Sequence, residues 1–537
     1  MTAAQSRQSE SIGRFLERRA AARPEAPALI CDNRVISFGV LLDESRRVAR
    51  GLAELGVGAG DRVALWLPNT PAWLALFLAC ARLGAIAVAV NTRFRAAEIA
   101  DIVGRSGARV LVLWPDFRGI DFLGILGEAD RAALDPLDAI VVYGRAAAPG
   151  ERLHGKALVA YDALRERPPH EADAGAGPVG CIIFTTSGTT SAPKFVLHDH
   201  YSVTRHAEAV ARRFAYDAPG TVLLQALPLG GVFGFSQAMA ALAAGAPTVM
   251  PPTFEPDGAA RLVERHAVTS FSGTDEMFRM LLEARTGARP YPSLGACYYA
   301  AFNPALGGIV AAAEARGLSL SGLYGMSEIQ ALFARQRPEA SRAERARRGG
   351  FPIGESYGAR VRDPESGRLL PPGQSGEIEV SGPSLMAGYF GDEAATRRAT
   401  TEDGWLRTGD LGRLESDGSF VFETRMGDVL RLGGYLVAPA EIEAHIQRFP
   451  GVAGCQVVGA MSEGRLAPVA FVTLRVGAAF DEAALRRHCA AGLARFKVPA
   501  RCVALDEFPT TTGANGTKIQ RARLREMAAR LLVATDL

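Results

Sequence analysis

The sequence is almost without lysine. Of its 60 basic residues, four are lysines and 56 are arginines, and the lysines are Lys156, Lys194, Lys497 and Lys518. In a chain with this bias, a lysine marks a candidate position at which a compact ammonium is needed and the planar arginine fork does not fit. Lys156 lies in a predicted polar loop and is interpreted as a surface residue. Three lysines therefore remain as candidates for a functional role.

Cysteine and histidine form none of the common metal or disulfide patterns. The seven cysteines contain no CxxC pair, which argues against a disulfide framework and against a zinc site. The eight histidines form no HExxH motif. His198 and His200 flank Asp199, and alternation along a strand would place both histidines on one face beside a solvated turn. We expect a structural or surface role for them.

Charge and apolar runs exclude two further classes of protein. A net charge of +3 gives no indication of a nucleic-acid or membrane partner. The N-terminus is polar and lacks the apolar core of a signal peptide. Residues 221–250 carry no charge, but glycine and proline divide them into two strands, a turn and a helix, and the apolar residues 73–90 are interrupted by Arg82 and Gly84. We expect a cytoplasmic protein without a membrane span.

The chain of 537 residues is too long for one ordinary domain. From about residue 37 to residue 320, short apolar strands alternate with amphipathic helices, which predicts mostly parallel sheets covered by helices. Strands and tight turns predominate after about residue 355, and helices are predicted at 439–449 and 481–493. We therefore expect an α/β fold with a large N-terminal domain over residues 1–426, which includes a β-rich subdomain, and a small α+β domain over residues 427–537.

A segment rich in hydroxyl groups follows the apolar strand CIIF and ends at Lys194. Its central residues have small or hydroxyl-bearing side chains: Thr186, Ser187, Gly188, Thr189 and Thr190. Backbone N–H groups and hydroxyls in such a loop can surround phosphate oxygens, with the ammonium as a point charge. A Walker-type motif fits poorly, because it needs glycine before the lysine and Ser or Thr after it, where this chain has Pro193 and Phe195. A Ser/Thr-rich surface turn is the alternative.

With this segment the sequence resembles the adenylate-forming superfamily, which contains acyl-CoA and aryl-CoA synthetases, peptide-synthetase adenylation domains and luciferases, and the resemblance covers nearly the whole chain. The family's TSGTTGxPK loop matches residues 186–194, except that Ser191 replaces a glycine. Further stretches resemble family motifs in the same order along the chain: GAIAVAVNTRFRAAEI at 84–99, LYGMSE at 323–328, GE at 376–377 with GY at 388–389, WLRTGD at 405–410, RMGDVLRLGGYLVAPAEIE at 425–443, FKVP at 496–499 and GTKI at 516–519. Three of the four lysines lie in these motifs.

The resemblance implies an adenylate-forming enzyme with a mobile C-terminal domain, which activates a carboxylic acid with ATP and then transfers the acyl group to coenzyme A. Two anions meet in the first step, so the site needs cations and a metal ion that neutralise developing charge. Lys518 is implied to bridge the acid and the α-phosphate, and Lys194 to bind the outer phosphates together with the hydroxyl-rich loop. Glu328 is implied to hold Mg²⁺, a hard ion that suits carboxylate ligands.

The same resemblance implies the nucleotide contacts. Asp410 would accept hydrogen bonds from the ribose hydroxyls, and Arg425 would contact ribose or phosphate. Tyr324 would stack on or abut adenine, with Gly325 and Ser327 in the same motif.

A second set of residues is implied to act in the transfer to coenzyme A. The C-terminal domain would swing about Gly427, withdraw Lys518 and present the loop of Gly433 and Gly434 beside a thiol channel. Glycine there leaves room for the narrow pantetheine arm. The nucleotide end of CoA would be bound by two basic residues, Arg431 and Lys497.

The chain departs from the family where the base and the acid are implied to bind. The family's GGAP segment is replaced by AAFN at 300–303, which leaves the base contacts open. Its gate motif, proline–apolar–aromatic–His, reads PLGG at 228–231. We expect five residues to line the acyl pocket: Gly230, Gly231, Phe233, Phe235 and Phe302. Without the gate side chains the pocket favours a medium-chain, alicyclic or aryl acid over acetate, unless neighbouring side chains fill the space.

Two other functions stay open. An acyl-AMP ligase would give the acyl group to a carrier protein or an amine, although the stretch after Glu328 lacks the insertion associated with long-chain acyl-AMP ligases. A non-catalytic nucleotide-binding relative is the other alternative, and the retained lysines and carboxylates argue against it. The sequence names neither the acid nor the oligomeric state, for which a homodimer is one option.

Overall fold

The computed structural model describes seven stretches of the chain: residues 10–186, 193–303, 306–432, 435–437, 439–462, 465–513 and 516–533. The helices in these stretches are α1 (Ile12–Ala22), α2 (Phe38–Glu54), α3 (Pro71–Leu83), α4 (Ala96–Ser106), α5 (Phe122–Gly127), α6 (Tyr161–Arg165), α7 (His200–Arg213), α8 (Val232–Ala244), α9 (Pro256–Arg265), α10 (Asp275–Glu283), α11 (Ile309–Glu314), α12 (Arg342–Arg345), α13 (Glu393–Ala399), α14 (Pro439–Ile446), α15 (Glu482–Gly492) and α16 (Arg521–Val533).

The strands in the same stretches are β1 (Pro27–Cys31), β2 (Arg34–Ser37), β3 (Arg62–Trp66), β4 (Ile86–Ala89), β5 (Ala108–Leu113), β6 (Ala139–Val142), β7 (Arg152–Leu153), β8 (Lys156–Ala160), β9 (Gly180–Thr186), β10 (Lys194–Asp199), β11 (Leu223–Leu224), β12 (Thr248–Val249), β13 (Ser270–Thr274), β14 (Ala296–Ala300), β15 (Leu320–Tyr324), β16 (Ala334–Arg335), β17 (Gly349–Pro352), β18 (Gly358–Arg362), β19 (Ser375–Ser381), β20 (Gly388–Tyr389), β21 (Leu406–Leu414), β22 (Phe420–Arg425), β23 (Leu430–Leu432), β24 (Tyr435–Val437), β25 (Val452–Ser462), β26 (Arg465–Leu474), β27 (Arg501–Ala504), β28 (Thr510–Gly513) and β29 (Gly516–Ile519).

Two large sheets organise the first four fifths of the chain. One has the order β20-β10-β9-β4-β3-β5-β6-β8-β7, and its central strands from β9 to β8 are parallel. The other runs β18-β19-β21-β22-β17-β16-β15-β14-β13-β11-β12-β1-β2 and is parallel only from β15 to β1. The prediction of helix-covered, mostly parallel sheets followed by a β-rich region is confirmed. The strands after β15 pair antiparallel within the second sheet.

Helices α3 and α8 explain the two long apolar runs. Nearly every side chain of both helices is buried, which is why neither run has the polar face of a surface helix. Arg82 of α3 is 1% exposed and its guanidinium lies 2.6 Å from the partly exposed carboxylate of Glu17, so this interruption of the apolar run is a buried arginine held in an ion pair. Among the residues that the structure describes, no helix is long and apolar enough to cross a membrane.

The C-terminal region has its own core. Strands β25, β26 and β27 form a sheet against which helices α14 and α16 pack, and α15 covers β27. The two buried apolar clusters of this region contain only residues after 429. The predicted domain boundary falls in a single turn of 3₁₀-helix, Met426–Asp428. The division into domains at residue 427, with a mobile second domain, stays a prediction.

Two predictions about individual residues are wrong. Lys156 begins strand β8 and donates a hydrogen bond to the carbonyl of Asp135 at 3.0 Å, so it does not lie in a loop. His198 and His200 are both fully buried, and His200 begins helix α7, with Asp199 as its N-cap. The expected position beside a solvated turn is therefore wrong, whereas burial in the core agrees with the expected structural role. Burial lowers the pKa of each imidazole to about 4.

Candidate active site

The two large sheets meet at the segment that follows β15. Nε2 of His198, in the first sheet, donates a hydrogen bond to the carbonyl of Ser327 at 2.8 Å. The backbone N–H of Met386 donates to the carbonyl of Glu328 at 2.8 Å. A carboxyl end of a parallel strand is the usual position for a ligand site in such sheets. Several of the predicted site residues are collected around this junction.

Glu328 follows β15 in one turn of 3₁₀-helix, Ser327–Ile329. The residue is 8% exposed, and Oε1 of its carboxylate accepts a hydrogen bond from the hydroxyl of Tyr389 at 2.9 Å. Within the described stretches no lysine, arginine or histidine forms an ion pair with this carboxylate. A buried carboxylate that lacks a cationic side-chain partner fits a bound cation, and carboxylate oxygens are ligands that Mg²⁺ prefers.

Lys194 is the first residue of β10 and pairs with Thr186, the last residue of β9. Its ammonium lies 4.5 Å from the centre of the Tyr389 ring. Just before it, the carbonyl of Pro193 accepts a hydrogen bond of 2.9 Å from Arg105. The central loop residues, Ser187 to Thr190, lie outside the described residues. The structure thus describes where the predicted phosphate loop begins and ends.

Asp410 is the centre of a second cluster. It stands opposite Arg425 in the pairing of β21 with β22, and Nη1 of Arg425 lies 3.0 Å from its Oδ1. The hydroxyl of Tyr324 donates to its Oδ2 at 2.6 Å. Burial raises the pKa of Asp410 to about 6, and the charge of Arg425 and the hydrogen bond from Tyr324 act in the opposite direction.

The ring of Tyr324 is buried rather than open. The residue is 7% exposed, and the ring makes an edge contact with Phe420 at 5.0 Å between centroids. Burial and the neighbouring charge of Asp410 raise the pKa of its hydroxyl well above the ordinary value, so it is a hydrogen-bond donor at neutral pH. The hydroxyl therefore holds Asp410, a role that the motif alone did not indicate. Its expected contact with adenine stays a prediction.

Gly325 follows Tyr324 and permits a close approach between two segments of the backbone. A Cβ atom at this position would come within 2.5 Å of Cα of Ala331. Ala331 belongs to a left-handed turn in which Gln330, Ala331 and Leu332 have φ values of 58°, 50° and 37°. The hydroxyl of Ser236 donates to the carbonyl of Gln330 at 2.6 Å and holds this turn. This turn can lie against residue 325 only because glycine has no side chain.

Four of the residues predicted for the acyl pocket lie at the start of α8 or just before it. A Cβ atom added at Gly230 would lie 3.0 Å from the carbonyl oxygen of Val90. Gly231 is the N-cap of α8. Phe233 is 4% exposed. Phe235 is fully buried in an aromatic cluster with three partners: Trp73, Phe77 and Phe184.

Phe302 lies in the AAFN segment after β14. Its backbone N–H and that of Asn303 donate to Oδ2 of Asp275 at 2.9 and 2.7 Å. Burial raises the pKa of Asp275, whereas these N–H groups lower it. Asp275 thus fixes the backbone of the segment that departs from the family pattern.

Sequence reasoning missed Asn69 in this region. Its amide nitrogen donates to the carbonyls of Gln225 and Leu227 at 3.3 and 3.0 Å, and its amide oxygen accepts from the N–H of Leu229 at 2.7 Å. Asn69 is 3% exposed. The Asn69 amide therefore helps to fix the segment that directly precedes the predicted acyl-pocket residues Gly230 and Gly231. In the sequence, Asn69 is only a polar residue between two apolar elements, and this pattern does not indicate its hydrogen-bond partners.

The predicted hinge and CoA residues are described in part. The carbonyl of Gly427 accepts a hydrogen bond of 3.1 Å from Arg525 of α16, and the carboxylate of Asp428 pairs with the same guanidinium. The ammonium of Lys497 lies 2.5 Å from Oε1 of Glu441. Lys518 pairs with Thr511 in the β28–β29 hairpin. The side chains of Lys518 and Arg431, and the residues Gly433 and Gly434, lie outside the described residues.

Comparison with known proteins gives a family for the whole chain. Residues 16–390 match the model of the AMP-binding enzymes, and residues 441–514 match that of the AMP-binding enzyme C-terminal domain. The chain is 32% identical to a 3-(7a-methyl-1,5-dioxo-octahydro-1H-inden-4-yl)propanoyl:CoA ligase of Mycobacterium tuberculosis, over 94% of this chain and 96% of that one. It is also 32% identical to a sulfoacetate–CoA ligase of Cupriavidus necator, over 96% and 97% of the two chains.

A solved structure gives the same family. The anthranilate CoA ligase in complex with anthranoyl-AMP is 26% identical to this chain, with a TM-score of 0.81 and coverage of 100% of both chains. The order of elements, and not only the local motifs, is therefore shared with a CoA ligase.

Proposed function

The chain belongs to the AMP-binding enzyme family, and from that premise we propose that it is an AMP-forming acyl-CoA synthetase. It activates a carboxylic acid with ATP to an acyl-adenylate, releases pyrophosphate and transfers the acyl group to coenzyme A. One observation carries the proposal. The short segment from Tyr324 to Glu328 joins two clusters, Tyr324 with Asp410 and Arg425, and Glu328 with Tyr389 and Lys194.

The two clusters divide the nucleotide between them. In its ionised form Asp410 accepts hydrogen bonds from the ribose hydroxyls, while Arg425 holds the carboxylate and faces ribose or phosphate. Lys194 binds the outer phosphates with the hydroxyl-rich loop. Glu328 would hold Mg²⁺, which when bound offsets the negative charge on the phosphates.

Each half-reaction exchanges one bond for another. In the first, a carboxylate oxygen of the acid attacks the α-phosphorus of ATP and the bond to pyrophosphate breaks, with the ammonium of Lys518 between the two anions. In the second, the thiol sulfur of CoA attacks the acyl carbonyl, loses its proton and displaces AMP. The second step would follow a swing about Gly427, with the loop of Gly433 and Gly434 beside the thiol and Arg431 and Lys497 at the CoA nucleotide.

Coenzyme A is the acceptor that the relatives favour. The two curated relatives and the solved structure are all named as CoA ligases. Transfer to a carrier protein or an amine is the second candidate, and it differs only in the last step. Because ATP and CoA are cytoplasmic metabolites, we place the activity in the cytoplasm.

The acid is proposed to be bulkier than acetate. The gate motif lacks its aromatic and imidazole side chains at Gly230 and Gly231, and two of the three similar proteins are named for ring-bearing acids. A medium-chain, alicyclic or aryl acid fits these features. The named substrate of the third, sulfoacetate, shows that small acids also occur among the relatives.

Pyrophosphate release tests the proposal. Purified protein with ATP, Mg²⁺ and a panel of acids should release pyrophosphate, and thioester should form only when CoA is present. Asp410→Asn is the negative control, because it keeps the shape of the side chain and removes the charge that is proposed to accept hydrogen bonds from the ribose. Adenylate formation without any thioester on addition of CoA would support the carrier or amine alternative. No pyrophosphate from any acid, together with no ATP binding, would contradict the enzyme proposal.

A further inference from the structure

Tyr389 contacts both groups that the proposed function assigns to the phosphate end of ATP. Its hydroxyl donates to Oε1 of Glu328 at 2.9 Å, and the ammonium of Lys194 lies 4.5 Å from the centre of its ring. Glu328 follows a strand of one sheet, whereas Lys194 belongs to the other. Tyr389 thus connects the predicted metal ligand to the predicted phosphate lysine.

The position of Tyr389 is fixed by its strand. In the pairing of β20 with β10, Tyr389 stands opposite Val196, so Lys194 is its diagonal neighbour on the same face of the sheet. Its backbone N–H donates to the hydroxyl of Thr396 at 2.8 Å, and the residue is 8% exposed.

Each half of the side chain has its own physical effect. The hydroxyl has one proton to donate, and its donation to Oε1 restricts the rotation of the Glu328 carboxylate. Groups that hydrogen-bond to a metal ligand in this way orient the ligand. The ring face attracts an ammonium through its quadrupole and restricts where the flexible lysine side chain lies.

We propose that Tyr389 is a positioning residue of the adenylation step, whose hydroxyl orients Glu328 towards Mg²⁺ and whose ring orients Lys194 towards the outer phosphates of ATP. The inference rests on the proposed function. It predicts that the two effects can be separated, because Tyr389→Phe removes the hydroxyl and keeps the ring, whereas Tyr389→Leu removes both.

Calorimetric titration with ATP in the absence of acid tests the proposal without turnover. The dissociation constant of ATP is measured once in EDTA and once in Mg²⁺. The EDTA value divided by the Mg²⁺ value reports the coupling between metal and nucleotide. Tyr389→Phe should lower this ratio about 10-fold, the lower end of the effect for groups that hydrogen-bond to a metal ligand, and leave binding in EDTA unchanged. Tyr389→Leu should also weaken ATP binding in EDTA, because Lys194 loses the ring.

Tyr357→Phe is the matched control. Tyr357 is also buried, at 7% exposure, and its hydroxyl has no hydrogen-bond partner among the described residues. The control should leave both dissociation constants unchanged. If Tyr389→Phe lowers the melting temperature but leaves the ratio at the wild-type value, Tyr389 is only structural and the proposal is overturned. If the wild-type protein binds no ATP at all, the proposed function fails instead.

Discussion

The hydroxyl of Tyr324 donates a hydrogen bond of 2.6 Å to Oδ2 of Asp410, 86 residues further along the chain. The other oxygen of this carboxylate lies 3.0 Å from Arg425, whose side chain is 53% exposed while that of Asp410 is 2% exposed. A buried carboxylate is therefore held from both sides at the place where the ribose is proposed to bind. Because burial raises the pKa of Asp410 to about 6, its charge changes within the range of ordinary assays.

We predict that ATP binds more tightly as the pH rises from 5 to 7.5. The ionised form of Asp410 accepts hydrogen bonds from ribose hydroxyls, and this form becomes populated as the pH passes about 6. Asp410→Asn should weaken ATP binding about 10-fold at pH 7.5, the magnitude for a hydrogen bond to a charged group. Calorimetry without acid measures both effects. A variant that keeps the wild-type pH dependence would show that another group titrates.

Ionisation of Asp410 strengthens ATP binding but lowers the stability of the unliganded protein. The folded pKa of this carboxyl, about 6, lies above its ordinary value of 3.8, so the folded state binds more protons between these pH values. Stability is therefore lost as the pH rises from 4 to 6, by about 3 kcal/mol at 1.36 kcal/mol per pKa unit. We predict that Asp410→Asn raises the melting temperature at pH 7.5 and that the difference is smaller at pH 5. Scanning calorimetry at the two pH values measures this, and a lower melting temperature at pH 7.5 would contradict it.

The parallel-sheet architecture could be predicted from the sequence because its strands are continuous apolar runs. The first of the two strands predicted within residues 221–250 is short, since β11 comprises only Leu223 and Leu224. Beyond it the N–H of Gln225 still bonds to Val249 of β12, but the carbonyls of Gln225 and Leu227 accept hydrogen bonds from the side chain of Asn69, which lies 156 and 158 residues earlier. A local pattern contains no information about such a partner.

His198 and His200 also have partners that a local sequence pattern does not indicate. His198 bonds the carbonyl of Ser327, and His200 accepts a hydrogen bond from the N–H of Ile12 at 3.1 Å. Polar residues that alternate on a strand ordinarily indicate a solvated face, and here their partners come from distant segments. The charged site residues could be proposed from the sequence, because their motifs stand in a fixed order. Tyr389 stood in such a motif too, but only the structure connects it to Glu328 and Lys194.

Lys518→Ala should separate the two half-reactions. An ammonium between the acid and the α-phosphate is needed only while the adenylate forms, so pyrophosphate release should fall roughly 10²–10³-fold, as for loss of one group that stabilises transition-state charge. Thioester formation from supplied acyl-AMP and CoA should stay near the wild-type rate. Rapid-quench measurement of each step tests this, and an equal fall in both steps would contradict a role limited to adenylation.

The hinge prediction now has a matched control. Gly427 lies in a 3₁₀ turn, and a Cβ there would meet no atom within 4 Å, so alanine fits this position. Gly427→Ala should leave the melting temperature and adenylation unchanged. Gly427→Pro should slow thioester formation more than adenylation, because proline fixes φ and restricts the residue before it. Equal slowing of both steps by proline would indicate a folding defect, and unchanged rates would place the hinge elsewhere.

The size of the acid is tested at the start of α8. Gly231 has ordinary extended backbone angles, φ −113° and ψ 141°, so the backbone permits a side chain there. At Gly230, in contrast, a Cβ would lie 3.0 Å from the carbonyl oxygen of Val90. Gly231→His is therefore the substitution that restores the family's imidazole with the least backbone strain. With acids of two to twelve carbons, the wild-type protein should prefer the bulkier ones, since buried apolar area contributes about 25 cal/mol per Å².

The added imidazole should lower kcat/KM for bulky acids about 10-fold or more relative to small ones, within the range by which a hydrophobic pocket discriminates one group. Gly230→Ala serves as the comparison: it presses on the Val90 carbonyl without placing a ring in the pocket, so it should lower activity towards all acids alike. If acetate or propionate is the best substrate of the wild-type protein, or if Gly231→His leaves the ranking of bulky acids unchanged, neighbouring side chains already fill the space that the missing gate residues leave.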